Sequence, residues 1–138
     1  MSFSNGPTVV TNGLVLSLDA GDRNSYVSGS TTWFDLAGTN NGTLTNGPTF
    51  NTGSFGSIVF DGVDDYVATT GIQAPSFSIS SWVRLNEINR FHGIIGRADS
   101  IFSNLSYAFR ILSSNNLSIS LSNSGTSVAP YFEITSPT

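Results

Sequence analysis

The sequence predicts an all-β chain, a two-sheet antiparallel sandwich. Three observations predict it. Apolar and polar residues alternate with period 2 along most of the chain, turn signals recur at short intervals, and helix-favouring stretches are scarce. At 138 residues, the span 1–138 is expected to be one domain with room for a two-layer core.

The alternating runs come in order. Leu14, Leu16 and Leu18 alternate with Val15, Ser17 and Asp19. Phe77, Ile79, Val83 and Leu85 share one parity, with Ser78, Ser80 and Arg84 on the other. Tyr107, Phe109 and Ile111 alternate with Ala108 and Arg110, and Leu117, Ile119 and Leu121 with serines. Antiparallel strands with one buried and one wet face have this pattern. It places Leu14, Leu16, Leu18, Phe60, Phe77, Ile79, Val83, Phe109, Ile111 and Ile119 in the core. Turns are expected at Asn12-Gly13, Asn41-Gly42, Asn46-Gly47-Pro48 and Asp61-Gly62, and a tight hairpin at Asn115-Asn116. Gly21 to Thr32 and Leu36 to Ser57, rich in Gly, Ser, Thr and Asn, read as loops. The tetrapeptide Asn-Gly-Pro-Thr at 5–8 and 46–49 reads as a turn entering a strand, not as a repeat unit. A short helical turn fits only at Arg84 to Arg90.

Charge narrows the function classes. Only 10% of residues are charged, against about 25% in typical soluble domains. All five cations are arginine, set against nine acids for a net charge of −4. Nucleic acids and anionic membranes call for clustered cations, so neither is an expected partner. Cysteine is absent, which removes disulfides and thiolate metal sites. No apolar run approaches a membrane span, and Met1 to Pro7 lacks the basic and apolar regions of a secretory signal. A lysine-free, Ser/Thr/Asn-rich surface without an export signal fits a virion protein, made in a host cytoplasm and released by lysis; the alternative is a mature secreted protein with its signal removed, against which Met1 counts.

Gly13-Leu-Val-Leu-Ser-Leu-Asp-Ala20, Trp33-Phe-Asp-Leu36 and Asn41-Gly-Thr-Leu44 resemble the opening of LamG-like, concanavalin A-like jelly-roll domains. Ser57 to Val67 is similar to the strand–turn–strand of that family, and Phe77 to Val83 to its next core strand. With the Asn-Gly-Pro-Thr-Phe stretch, the combination resembles versions found in phage virion structural proteins. The resemblance runs over residues 9 to 122. It implies a jelly-roll sandwich on a capsid or tail. The chain departs from the family after that, where Tyr131-Phe-Glu-Ile134 stands in place of a Trp-bearing strand and a closing hairpin. The expectation is a sandwich short of closing strands. Val128 to Ile134 would then dock on a neighbour or seal its own sheet, within a homo-oligomer among other virion proteins.

Candidate chemistry is sparse. Asp61, Asp64 and Asp65 set hard oxygen ligands two to four residues apart in a turn, a pattern that suits structural Ca²⁺. The alternative is a plain turn whose Asp side chains accept local N–H groups. Trp33, Tyr66 and Trp82, with Tyr26 nearby in sequence, offer ring faces for a pyranose, and otherwise serve as packing. Trp82 lies on the parity opposite Phe77 and Ile79, which in a sandwich puts it outward or under a loop. His92, the single histidine, reads as a loop residue between strands. Asn41, Asn104 and Asn116 open sequons of the kind that arise by chance in such a composition. Related glucanases carry Glu-x-Asp-x-x-Glu, but here the two glutamates, Glu87 and Glu133, have no acid two residues away. The expectation is therefore no catalytic residue: a non-enzymatic virion structural protein, with a carbohydrate-binding adhesion module for host-surface glycan as the alternative.

Overall fold

The computed structural model describes residues 10–70, 77–97 and 107–121, and the backbone of 122 and 131–135. The first Asn-Gly-Pro-Thr copy, Asn104 and Val128 to Pro130 lie outside the described residues. The chain is all-β, built of antiparallel ladders, as the alternation predicts. It forms two compact units, Met1–Gln73 and Ala74–Thr138. Among the described residues no helix is long and apolar enough to cross a membrane.

In the first unit, β1 (Thr32–Trp33), β2 (Gly42–Thr45) and β5 (Tyr66–Ala68) form one sheet in the order β1-β2-β5. β3 (Thr49–Asn51) and β4 (Ser57–Val59) form a separate hairpin. The stretch read as a loop from Leu36 to Ser57 therefore holds two strands. They escape a period-2 reading because each is four residues or fewer. Asn46 and Gly47 both have positive φ, 69° and 107°, the geometry that Asn-Gly favours. That turn does not close a hairpin. It carries the chain from β2 to β3, and the Asp61–Asp65 turn carries it back from β4 to β5.

Leu14 to Leu18 alternates as expected but joins no ladder. Side chains supply its hydrogen bonds instead: Ser17 N–H donates to Asp35 Oδ1 at 2.9 Å and Asp19 N–H to Ser25 Oγ at 3.0 Å. Its leucines are half-buried rather than core. Among the described residues the buried apolar side chains are Tyr26 and Leu44. Gly42 opposite Trp33 makes room: a Cβ there would stand 2.7 Å from Val67 Cγ1.

In the second unit, β6 (His92–Arg97), β7 (Tyr107–Ile111), β8 (Leu117–Ser122) and β9 (Tyr131–Thr135) form a sheet in chain order. The β7–β8 hairpin falls where expected. Asn115 N–H donates to Leu112 C=O at 2.8 Å, and Asn115 takes a φ of 66°, which Asn tolerates. β9 pairs with β8 of its own chain from Ser118↔Thr135 to Ser122↔Tyr131, so the part of the tail expected to find a sheet edge finds it here. His92 opens β6 and is not a loop residue.

The predicted core needs correction in both units. Phe60, Phe77, Ile79, Val83 and Ile119 are exposed, and Phe109 and Ile111 are half-buried. Two causes are visible. Phe77 to Val83 has the alternation of a strand but no ladder partner among the described residues; Phe77 instead lays its ring on Tyr107, centroids 5.0 Å apart. On β8 the closed face is the serine face. Arg110 Nη2 donates to Ser120 Oγ at 2.7 Å and Arg110 Nε to Ser118 Oγ at 3.2 Å, and both serines are fully buried. One long guanidinium side chain, itself 5.9 Å from the Phe91 ring centroid, covers two small residues of β8. The Leu117–Ile119–Leu121 face stays open.

Candidate functional site

The first unit holds an aromatic cluster. Tyr26, 4% exposed, meets Trp33 edge-on with centroids 6.2 Å apart and Phe50 at 5.3 Å. The Tyr26 hydroxyl donates to Ser30 C=O at 2.9 Å, so its proton is committed inside the fold. Trp33 Nε1 is buried and finds no acceptor among the described residues. Beside the cluster lies a cavity of about 590 Å³, walled by Tyr26, Val27, Phe50 and Phe55 with Arg23 at its rim.

The Phe55 wall is unusual in its backbone. Ser54 and Phe55 sit at φ 53° and 71°, consecutive left-handed positions in the 3-10 turn Gly53–Phe55. Bulky residues rarely occupy that region. Gly56 follows at φ 102°, where a Cβ would stand 2.8 Å from Ala20 C=O. The loop is thus clamped against Ala20 and Gly21 while the Phe55 side chain projects 97% exposed. Sequence reasoning missed this site. The available signal was an aromatic residue flanked by glycines in Gly53-Ser-Phe-Gly56.

Of the ring residues singled out from the sequence, Trp33 lies on β1 inside the cluster. Tyr66 opens β5 opposite Thr45 and is half exposed. Trp82 belongs to the second unit and is fully exposed, in a segment where the opposite-parity residues Phe77, Ile79 and Val83 are exposed as well.

Asp61, Asp64 and Asp65 do converge, with oxygens within 4.8 Å of one another. Each already accepts a local donor. Asp65 Oδ2 accepts Asp61 N–H at 2.9 Å, Asp61 Oδ1 accepts Val63 N–H at 2.8 Å, and Asp64 Oδ2 accepts Asn46 Nδ2 at 3.0 Å. Such bonds hold an Asp-rich turn without help. The donor set is all hard oxygen and suits calcium in kind.

Asp35 is a carboxylate with a defined structural role. It is buried, and its oxygens accept N–H groups from Ser17, Ala37 and Asn40 at 2.9, 2.9 and 3.1 Å. Burial alone pushes its carboxyl up, but the backbone N–H groups of Ser17, Ala37, Asn40 and Gly38 together hold it below the usual range. Glu87 is also held low, by its hydrogen bond and 2.6 Å ion pair with Arg90.

These features define an all-β protein with a tethered aromatic pocket and an acidic turn. No family model and no curated protein matches the chain. Among solved structures it is similar to an S-layer domain-containing protein from Clostridium thermocellum ATCC 27405, residues 221–444, with 29% sequence identity and a TM-score of 0.65. The match covers 81% of this chain and 53% of that one, so the chain spans about half the length of that structure.

Proposed function

We propose that this chain is a non-enzymatic structural module displayed on the outer surface of a particle, and that it works by contact. The observation that carries the reading is the likeness, over 81% of the chain, to an S-layer domain-containing protein, which supports an outward-facing, assembly-bound role. The neutral polar, lysine-free composition agrees with it. The LamG-like resemblance to phage virion proteins makes a capsid or tail component the preferred form, in a homo-oligomer with other virion proteins. Neither Glu87 nor Glu133 has an acid two residues away, which supports the non-catalytic side. Immunogold labelling of intact particles with antibody to this chain tests the reading. Label on capsid or tail is expected. Label on a cell envelope replaces the virion by the cell surface, and label confined to the cytoplasm overturns display altogether.

Adhesion to host-surface glycan is the second reading, favoured by the full exposure of Trp82. A free indole face stacks on the C–H side of a pyranose. A glycan array comparing the native chain with Trp82→Ala tests it. Spots lost in the variant support the reading, and an array blank for both excludes it.

A further inference from the structure

The pocket beside the aromatic cluster has a chemistry distinct from that of Trp82. Its residues all lie in the first unit, between Ala20 and Gly56. At about 590 Å³ it falls within the size range of small-molecule sites, roughly 300–1,000 Å³. Its apolar walls are the rings of Tyr26, Phe50 and Phe55 and the Val27 side chain, with Ser28 and Thr52 also on the lining. The Tyr26 hydroxyl is spent on Ser30, which leaves Ser28 and Thr52 as the lining residues with a hydroxyl to offer. A ring of sugar hydroxyls would therefore meet few partners and lose its hydration. An apolar group loses nothing there.

The one charged group at the pocket is Arg23, which is exposed and has no acid paired with it among the described residues. A guanidinium presents a planar fork that a carboxylate matches with two hydrogen bonds. The backbone adds a separate indication. Left-handed non-glycine residues cluster at ligand clamps, where surrounding structure holds strain in place. Here that strain projects Phe55 outward at the pocket.

The geometry points to a binding site for an aromatic or branched aliphatic group that bears a carboxylate. The apolar body lies among Phe50, Tyr26 and Val27, Phe55 covers it, and Arg23 takes the carboxylate. The same chemistry is offered by a free amphipathic acid and by the C-terminal residue of a peptide chain.

Calorimetry on the full chain with four probes decides the matter: N-acetyl-phenylalanine, its carboxamide, a hexapeptide ending in Phe with a free carboxylate, and glucuronate. The acid is expected to bind at least tenfold more tightly than the amide. Arg23→Gln is expected to erase that difference. Phe55→Gly is expected to weaken the acid at least tenfold while the far-ultraviolet circular dichroism stays unchanged, because Gly accepts the φ of position 55 without strain. A hexapeptide tighter than the acid by tenfold identifies a chain terminus as the source, and equal affinity identifies the free acid. Equal binding of acid and amide, preference for glucuronate, or no binding of any probe at millimolar concentration overturns the proposal. None of these outcomes bears on where the chain is displayed.

Discussion

Gly21 lies directly under the carbonyl oxygen of Phe55, so closely that a methyl group on Gly21 would overlap it. The two residues are far apart along the chain, yet this contact fixes where the Phe55 loop sits. An Ala at position 21 must push the loop away or distort itself, and overpacking of this kind costs about 1–3 kcal/mol. Gly21→Ala is expected to lower the midpoint of urea unfolding accordingly, with no change in slope. An unchanged midpoint refutes the clamp.

Phe55 itself is predicted to trade stability for presentation. Its left-handed backbone costs roughly 1–2 kcal/mol, and its exposed side chain buries almost nothing in return. Glycine removes that strain but adds about 0.5–1 kcal/mol of chain entropy to the unfolded state. Relief of strain outweighs the added entropy, so Phe55→Gly is expected to stabilise the chain by about 0.5–1 kcal/mol in chemical denaturation. A destabilised variant contradicts the strain argument.

The legible part of the fold was the part with long alternation. β7, β8 and their turn follow directly from Tyr107 to Leu121, because five or six residues of period 2 leave little choice of element. β2 and β3 were not legible, being too short to show a period, and the Asn46-Gly47 turn between them reads like a hairpin although it joins two sheets. Facing was the other failure. Alternation assigns two faces to β8 but does not say which is closed, and Arg110 closes the serine face by hydrogen bonds that a hydrophobicity pattern does not register. At the site level, the convergence of Asp61, Asp64 and Asp65 was readable from spacing, whereas parity did not separate Trp82 from Phe77, Ile79 and Val83, which are exposed with it. The Phe55 pocket was not readable, since it depends on φ values and on a contact between distant glycine-bearing loops.

The acidic turn is expected to be independent of calcium. Val63 N–H, Asp61 N–H and Asn46 Nδ2 already occupy one oxygen of each carboxylate and set the backbone of the turn. Thermal unfolding with millimolar CaCl₂ and with excess EGTA should give the same midpoint. A ligand binding only the folded state at about 100 times its Kd adds roughly 2.7 kcal/mol, which moves the midpoint by several degrees. A shift of that size would establish a cation site and displace the plain-turn reading.

Asp35 makes the first unit sensitive to acid. Its carboxylate ties two separate stretches together: Ser17 of the extended leucine segment, and Ala37 and Asn40 of the loop before β2. Its own N–H donates to Asn41 Oδ1 at 2.9 Å, which closes the same loop from the other side. Burial opposes the charge, but the N–H groups outweigh it, and the folded pKa lies below the ordinary carboxylate value. The unfolded chain therefore binds the proton more readily than the folded one. The stability that follows from this difference is present above the unfolded pKa, about 4, and is lost as pH falls through the lower folded value. Asp35→Asn keeps the shape but replaces one acceptor oxygen by an NH₂ group, which cannot accept an N–H. It is expected to cost about 1–3 kcal/mol at pH 7. That cost should shrink as the pH of the measurement is lowered from 5 toward 3, because the native side chain is then losing its own charge. Denaturation of both proteins across that range gives the difference directly. A gap between native and variant that stays constant with pH would show that the charge of Asp35 contributes nothing to holding these segments together.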